Sequence, residues 1–322
     1  MSKLYPLLMK PYFDPRPWGA RDLAPIYDKH VHPGEQPIGE AWLTWDKCKI
    51  ANGPLAGILL GDACNRFGTD LVGAACETNR FPLLIKFLFP REKLSVQVHP
   101  DDETAQKQGE PCGKTECWYV VEAEPGAQVG LGLKPGSSRA EFEKSIRENR
   151  AEELLNWVDL QRGDLVYVDA GTVHTLGPGS IILETQQNSD TTYRLYDYGR
   201  PRELHLEQGL EAMKERTAAG KTAPIRLAGN QEQLISVSHF QVHRFRLSRS
   251  AEQFVSDGTS PKVAIALNGC GVIEHEQVQA VAFARGDAVI IPASVRQFSI
   301  RPQWDLEFLM ASVPHENEKG CG

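Results

Sequence analysis

A segment that occurs twice constrains the fold of this chain more than any other feature. Residues 162–174 (RGDLVYVDAGTVH) align without a gap with residues 285–297 (RGDAVIIPASVRQ). In each copy a Gly-Asp pair predicts a tight turn, an apolar run predicts a short strand, and a second turn follows. Self-similarity at a distance is the sequence signature of a repeated structural unit. We therefore predict two related β units, in which His174 of the first corresponds to Gln297 of the second.

An alternating segment before residue 100 predicts the wall of a polar cavity. Successive residues of a strand point to opposite faces of the sheet. One face of this strand is expected to be apolar and to carry Leu94, Val96 and Val98. The other face is expected to carry Ser95, Gln97 and His99. A serine, an amide and an imidazole in a row do not suit a core strand, so we place this face against a cavity.

The segment from residue 114 to residue 121 has strand composition and a second polar face, formed by Lys114, Glu116 and Trp118. Taken alone, these residues would equally suit a strand at the surface. Imidazole nitrogens and carboxylate oxygens are standard zinc donors, and a catalytic site keeps one position open. Donors without thiolate favour zinc, manganese, iron or cobalt over an iron–sulfur cluster. We predict that one catalytic metal is held by four side chains: Gln97, His99, Glu116 and His174.

The composition excludes several other classes of protein. The 322 residues, 41% of them apolar, suffice for one large core or two ordinary ones. A net charge of −7 without a basic stripe argues against nucleic-acid binding. Neither a signal peptide nor a membrane-spanning run is predicted. Seven cysteines without a framework of spacings predict reduced thiols in a cytoplasmic protein, and Cys112 with Cys117 lacks the second cysteine pair of a thiolate metal site.

Two boundaries follow from local signals. Ser138 and Glu141 form a capping box, which begins a helix-rich insert at about residues 137–158. The small and polar residues 217–222 are expected to form a linker. We therefore predict a first domain of residues 1–222, which contains the metal site and the insert, and a smaller second domain of residues 223–322.

The segment that ends at His174 resembles the second motif of cupins, which are double-sheet β-barrels of the jelly-roll type. Asp169 stands where that motif usually has proline, and Gln97 stands where the first motif has a histidine two residues before His99. The resemblance implies a mainly β fold with two cupin-type barrels and a helical insert. The second barrel would be degenerate, because Gln297 replaces the metal histidine.

Longer segments resemble a type I phosphomannose isomerase of the short bacterial form. They are LSVQVHPDD (94–102), GKTECWY (113–119), GTVHTLG (171–177) and ETQQNSDTTYRLYDYGR (184–200), within a match that covers roughly residues 10–205. The family interconverts mannose 6-phosphate and fructose 6-phosphate with a bound zinc. The resemblance therefore implies a metal-dependent aldose–ketose isomerase with one Zn²⁺ per subunit and a small phosphosugar as its partner. The oligomeric state stays open.

Carried over position by position, the resemblance implies the same four metal ligands and a set of further site residues. Arg194 resembles the catalytic arginine, and Lys86 and Ser95 resemble the residues on the phosphate side. Four more positions lining the pocket match: Trp18, Glu40, Lys114 and Glu184. Lys114 is expected to move protons between the substrate oxygens or to act in the ring-opening step. The general base stays open between Glu184 and a water at the metal. The chain departs from the longer forms of the family around residues 190–194 and at Phe89-Pro90.

Two other functions are compatible with these residues. One is a different metal-cupin enzyme, such as an Fe(II) oxygenase, but the cationic residues Lys86, Lys114 and Arg194 favour an anionic sugar phosphate. The other is a non-catalytic sugar-binding protein. Such a protein would be expected to lack a metal-binding or arginine position, and none of these positions is missing here.

Overall fold

Strands dominate the computed structural model, which describes residues 4–275 and 278–314. The strands are β1 Leu7–Lys10, β2 Tyr12–Ala20, β3 Ile38–Trp42, β4 Lys49–Ile50, β5 Leu83–Leu88, β6 Val96–Val98, β7 Glu116–Ala123, β8 Gln128–Leu133, β9 Leu155–Asp159, β10 Leu165–Val168, β11 His174–Leu176, β12 Ser180–Gln187, β13 Tyr193–Tyr196, β14 Gly220–Lys221, β15 Ile225–Arg226, β16 Gln231–Ser236, β17 Gln241–Leu247, β18 Glu252–Val255, β19 Lys262–Asn268, β20 Cys270–His275, β21 Val278–Ala284, β22 Ala288–Ile291, β23 Gln297–Pro302 and β24 Leu306–Ser312. The helices are α1 Leu60–Phe67, α2 Thr69–Val72, α3 Asp102–Lys107, α4 Arg139–Arg147 and α5 Leu206–Ala212, with short 3₁₀ helices at Gly53–Leu55 and Ala151–Leu154. The predicted mainly β fold is confirmed.

The strands pair into four sheets. The first half of the chain forms a seven-stranded sheet (β14-β10-β7-β12-β5-β3-β2) and a five-stranded sheet (β13-β6-β11-β8-β9). The second half forms an eight-stranded sheet (β15-β16-β17-β24-β19-β22-β1-β4) and a four-stranded sheet (β18-β23-β20-β21). The eight-stranded sheet also takes in β1 and β4, so the start of the chain is tied to the second half. The division into domains at residues 222 and 223 stays a prediction.

Period-two alternation along β7 explains how the seven-stranded sheet buries both of its faces. Trp118 and Val120 join an apolar cluster with Val129 and Leu176 of the five-stranded sheet. Tyr119, on the opposite face of β7, joins a cluster that includes residues of the eight-stranded sheet. Each large side chain buried in this way stabilises the fold by about 1.5–3 kcal/mol. The strand that carries Glu116 is therefore held rigidly from both sides.

The two aligned segments have the same local structure. Gly163 and Gly286 both adopt a positive φ, of 90° and 88°, which glycine reaches without steric cost. The carboxylates of Asp164 and Asp287 each accept a hydrogen bond from the backbone N–H three residues earlier. The strands that follow, β10 and β22, occupy corresponding positions in the two segments.

The second unit has a filled interior where the first has a cavity. Phe245 stacks on Phe308 with ring centroids 5.0 Å apart, and Phe254 stacks on Phe298 at 4.9 Å. Gln297, the counterpart of His174, is exposed. The description of the two units as closed barrels stays a prediction.

Three local expectations were wrong or incomplete. The predicted capping box begins α4, but the helix ends at Arg147, and Leu155–Asp159 forms β9 because it pairs with β8. The predicted linker contains β14, which pairs with β10 at the edge of the seven-stranded sheet. Leu94 does not share the face of Val96 and Val98, because β6 begins only at Val96; Leu94 lies in the cavity wall. These departures arise from tertiary pairing, which local sequence does not report.

The expectations about membrane-spanning runs and about reduced cysteines can be compared with the part of the chain that the structure describes. Within it, no helix is long and apolar enough to cross a membrane. The six cysteines that lie there are all free thiols.

Candidate active site and metal centre

A cavity of about 360 Å³ opens between the seven-stranded and five-stranded sheets. The seven-stranded sheet contributes Trp18 from β2, Glu40 from β3, Lys86 from β5, Glu116 from β7 and Glu184 from β12, with Lys114 just before β7. The five-stranded sheet contributes Gln97 from β6, His174 from β11 and Arg194 from β13, with Ser95 just before β6. His99, just after β6, lies against Glu116 behind the cavity wall. All of the residues predicted from the sequence are therefore brought to one place.

Three of the four predicted metal ligands form a compact cluster. His99, Glu116 and His174 each offer one donor atom, and these atoms lie within 4.8 Å of one another. His99 Nε2 is 3.5 Å from Glu116 Oε2, and His174 Nε2 is 3.4 Å from Glu116 Oε1. All three side chains are at most 2% exposed. Two imidazole nitrogens and a carboxylate converging from three strands make a donor set suited to a divalent cation.

Backbone carbonyls fix the orientation of both imidazole rings. His99 Nδ1 lies 2.9 Å from the carbonyl oxygen of Thr191, and His174 Nδ1 lies 2.9 Å from that of Thr172. A carbonyl can only accept, so each Nδ1 carries the proton and each Nε2 presents its lone pair to the cluster. Metal-binding histidines are oriented in this way by their second nitrogen. Burial also lowers the pKa of both rings, that of His174 to about 4, so both are neutral and able to bind a metal.

Buried atoms without a partner show that the cluster fits a cation. Among the residues with described positions, His99 Nε2 and both oxygens of Glu116 have no hydrogen-bond partner. An unsatisfied buried carboxylate is costly unless a positive charge compensates it. Burial, reinforced by the negative charge of Glu184, raises the pKa of Glu116 well above its usual value. A divalent ion between these atoms would satisfy the three orphaned atoms and offset the negative charge.

Gln97 lies next to this cluster with its amide toward His174. Its Nε2 is 3.2 Å from His174 Nε2, while its Oε1 accepts a hydrogen bond from the hydroxyl of Ser95. Of the two polar atoms of the Gln97 amide, only the oxygen is a donor atom for metals. Rotation of the amide by 180° about its last bond would present Oε1. The role of Gln97 as a fourth ligand stays a prediction.

Lys86, Glu40 and Glu184 form a buried group of ion pairs in the lining of the cavity. Lys86 Nζ lies 3.1 Å from Glu184 Oε2 and 3.7 Å from Glu40 Oε1. Glu184 also accepts a hydrogen bond from the indole N–H of Trp118. Burial by itself would raise the pKa of Glu184, but Lys86 and Lys114 outweigh it and lower that pKa to about 2. Glu184 is thus held as a carboxylate before any substrate binds.

Arg194 differs from Lys86 because much of its guanidinium group is unpaired. Nη1 donates to the carbonyl oxygen of Glu203, whereas the buried Nε has no partner among the residues that the structure describes. Burial and the positive charge of Arg202 lower the pKa of Arg194, which nevertheless stays protonated. An unpaired cation facing a cavity, with a second arginine beside it, is arranged to receive an anionic ligand.

The cavity also contains residues that the sequence analysis did not select: Arg16, Asp190, Thr192 and Arg202. Arg16 pairs with Asp14 and Glu40, and it lies two residues before Trp18 on β2. The alternation rule applied to Trp18 would therefore have identified Arg16. Arg202 is bound through two hydrogen bonds to Asp197 and lies in a loop, where no periodic signal exists.

Fold and site together place the chain among β-sheet metalloproteins whose metal site lies in a cavity between two sheets. The family model "Phosphomannose isomerase type I, catalytic domain" matches residues 7–125. The mannose-6-phosphate isomerase ManA of Bacillus subtilis is 36% identical, over 92% of this chain and 95% of the relative. The probable mannose-6-phosphate isomerase GmuF of the same organism is 34% identical, over 92% and 96%. The chain belongs to the type I phosphomannose isomerase family.

Solved structures agree with this fold. A crystal structure of the mannose 6-phosphate isomerase from Bacillus subtilis superposes with a TM-score of 0.85 at 29% identity, over 95% of this chain and 99% of that one. A variant of phosphomannose isomerase from Salmonella typhimurium superposes with a TM-score of 0.79 at 16% identity, over 95% and 98%. At that identity the second likeness concerns the fold alone.

Proposed function

We propose that this chain is a metal-dependent aldose–ketose isomerase that interconverts mannose 6-phosphate and fructose 6-phosphate with zinc in the cytoplasm. The observation that carries the proposal is the cluster of His99, Glu116 and His174 at a cavity lined by lysines and arginines. Membership of the phosphomannose isomerase family supports the substrate. The cationic lining suits a sugar that carries a phosphate.

The reaction moves hydrogen between C1 and C2 of the sugar, and negative charge builds on the two neighbouring oxygens. A bound divalent metal supplies Lewis acidity at those oxygens. Arg194 adds a fixed positive charge from the five-stranded sheet, since its Nε has no partner among the described residues and faces no competing carboxylate at hydrogen-bond distance. Preorganised charge of this kind acts most strongly in a cavity that excludes water.

Lys114 and Glu184 are the proposed proton carriers. Lys114 is buried, and its Nζ lies 3.5 Å from Glu116 Oε2. From this position it can reach the oxygens of a sugar bound beside the candidate metal ligands. Glu184 is unprotonated before the sugar binds, because Lys86 and Trp118 both donate to it. A general base must begin in that state. Glu184 is therefore our candidate to take the hydrogen from the carbon.

Removal of the metal tests this function directly. We expect the metal-loaded protein to convert mannose 6-phosphate, in a coupled assay for fructose 6-phosphate, and chelation to reduce the rate at least about 100-fold, since the Lewis acid contributes several kcal/mol. Adding Zn²⁺ back should restore the rate. Full turnover by metal-free protein would contradict the metal dependence. No turnover by zinc-loaded protein would contradict the proposed reaction.

The phosphate side is tested by Lys86→Ala and Ser95→Ala. Loss of one charge-assisted hydrogen bond to phosphate should lower kcat/KM for mannose 6-phosphate on the order of 10- to 100-fold in Lys86→Ala, with a smaller loss for unphosphorylated mannose. Because Lys86 also pairs with Glu184 and Glu40, Ser95→Ala serves as the milder companion that leaves those ion pairs in place. Equal losses on both sugars would assign Lys86 to the carboxylates alone.

A further inference from the structure

We propose that Asp102 and Gln187 are positioning residues for Lys114, which they hold by binding the backbone on both sides of it. Neither residue lines the cavity that contains the candidate metal ligands. The inference rests on the proposed function, because it concerns the lysine that would move protons during isomerisation.

Three consecutive backbone amides around Lys114 donate to fixed acceptors. The N–H of Gly113 donates to Asp102 Oδ1 at 2.8 Å, and the N–H of Lys114 donates to the carbonyl oxygen of Pro100 at 3.0 Å. The N–H of Thr115 donates to Gln187 Oε1 at 2.8 Å. Asp102 and Gln187 are themselves joined, since Gln187 Nε2 donates to the same Asp102 Oδ1 at 2.9 Å. The two side chains and the amides of Gly113 and Thr115 form one connected network on either side of Lys114.

The network is needed because Lys114 lies before the first residue of β7. Pairing between β7 and β12 runs as far as Glu116 and Gln186. One more backbone bond follows, from the N–H of Gln187 to the carbonyl oxygen of Thr115 at 3.1 Å. The N–H of Thr115 has no strand carbonyl as its acceptor and donates instead to the side chain of Gln187. Glu116 is thus fixed by the sheet, whereas the backbone around Lys114 is held by one carbonyl oxygen, that of Pro100, and by the side chains of Asp102 and Gln187.

Close packing shows how little freedom this turn has. A Cβ placed on Gly113 would lie 2.6 Å from backbone atoms of Asp101 and Asp102, and 2.8 Å from the carbonyl oxygen of Pro100. The start of α3, which carries Asp102, therefore lies directly against the backbone of Gly113. Lys114 and Gln187 are 3% and 8% exposed, so water has little access on their side of the network, whereas the side chain of Asp102 is 44% exposed. A displacement of about 1 Å in a reacting group can lower a rate by about 10²-fold.

The test compares Asp102→Ala with Asp102→Asn in the zinc-loaded full-length protein. Asp102→Ala removes the acceptor for both Gly113 and Gln187, and we expect kcat for mannose 6-phosphate to fall about 10- to 100-fold, with KM and bound zinc within about two-fold of the parent. Asp102→Asn keeps an Oδ1 that can accept both bonds, so it should retain most of the parent kcat. Gln187→Met removes both the acceptor for Thr115 and the donor to Asp102 without adding a charge beside Asp102, so it should give a loss similar to that of Asp102→Ala.

Hydrogen exchange supplies a readout that does not depend on catalysis. We expect the amides of residues 113–115 to exchange at least about ten-fold faster in Asp102→Ala than in the parent or in Asp102→Asn. If the parent itself fails to isomerise the sugar, the proposed function is wrong, but exchange still decides whether the network holds this turn. Unchanged exchange, equal losses of kcat in both Asp102 variants, or a loss that follows the zinc content would overturn the positioning role. If Asp102→Ala does not fold, Gln187→Met compared with Asp102→Asn carries the same test.

Discussion

Replacing His174 by alanine is expected to remove most of the bound metal and nearly all activity. His174 supplies one of three converging donor atoms, and its ring is already oriented by the carbonyl oxygen of Thr172. The remaining pair, His99 and Glu116, would hold a divalent ion only weakly, because catalytic zinc sites use three protein ligands. With the Lewis acid absent, kcat/KM should fall by at least about 10³-fold, which corresponds to about 4 kcal/mol. His99→Ala should behave in the same way.

The measurements are the number of metal ions per chain, by elemental analysis, and turnover of mannose 6-phosphate on the same sample. His243→Ala is a matched control, because His243 is a partly buried histidine of β17 in the eight-stranded sheet, remote in the topology from the metal cluster. It should keep both metal and activity. A His174→Ala protein that retains one metal ion per chain and the parent rate would show that these histidines are not the metal ligands.

Local sequence predicted the repeated unit well because a short-range constraint determines it. The turn before β10 needs a glycine at positive φ and an aspartate that bonds back to the chain, and both occur within a few residues. The same holds for β22. Patterns of this kind can be recognised without knowing which strand is the partner. The capping box at Ser138 was predicted for the same reason, since both of its hydrogen bonds lie inside one helical turn.

Pairing between distant residues could not be predicted in this way. Lys86 and Glu184 lie opposite each other on β5 and β12, and only the register of those strands brings the ammonium to the carboxylate. The sequence placed Lys86 on the phosphate side and left Glu184 as one of two candidates for the general base, without indicating that the two are ion-paired. Gln187 and Asp102 are a second case, because their contact depends on how α3 packs beside the end of β12. Function in this cavity therefore depends on partners that periodicity does not reveal.

Comparison of the two units explains why, among the described residues, the candidate metal ligands cluster in the first unit. Val166 and Val168 of β10 point into the same apolar cluster as Trp118, and their counterparts Val289 and Ile291 point into the core of the second unit. The strand therefore packs into the apolar core in both units. In the second unit stacked phenylalanines occupy the corresponding interior. We infer that this unit supports the fold, with the eight-stranded sheet covering the back of the seven-stranded sheet.

Arg194→Ala is expected to lower kcat about 10²- to 10³-fold while the metal content stays near one ion per chain. Arg194 belongs to β13, which pairs with β6 at Gln97, so the guanidinium is carried by the same sheet as part of the metal cluster. The Nε of Arg194 is buried without a partner in the described ranges 4–275 and 278–314. Replacing Arg194 by alanine breaks no ion pair within those ranges. Loss of one preorganised donor to a developing negative charge has a cost of this size.

Arg194→Lys separates charge from geometry, because lysine keeps the positive charge but not the planar fork of donors. We expect it to recover only a small part of the lost rate. Arg246→Ala, which removes an exposed arginine of β17 paired with Glu232 and Glu307, should leave kcat and KM unchanged. If Arg194→Ala instead raises KM and leaves kcat at the parent value, the arginine binds substrate and transition state equally. The positive charge that distinguishes the transition state would then have to come from the metal and from Lys114, which Asp102→Ala is expected to displace without removing.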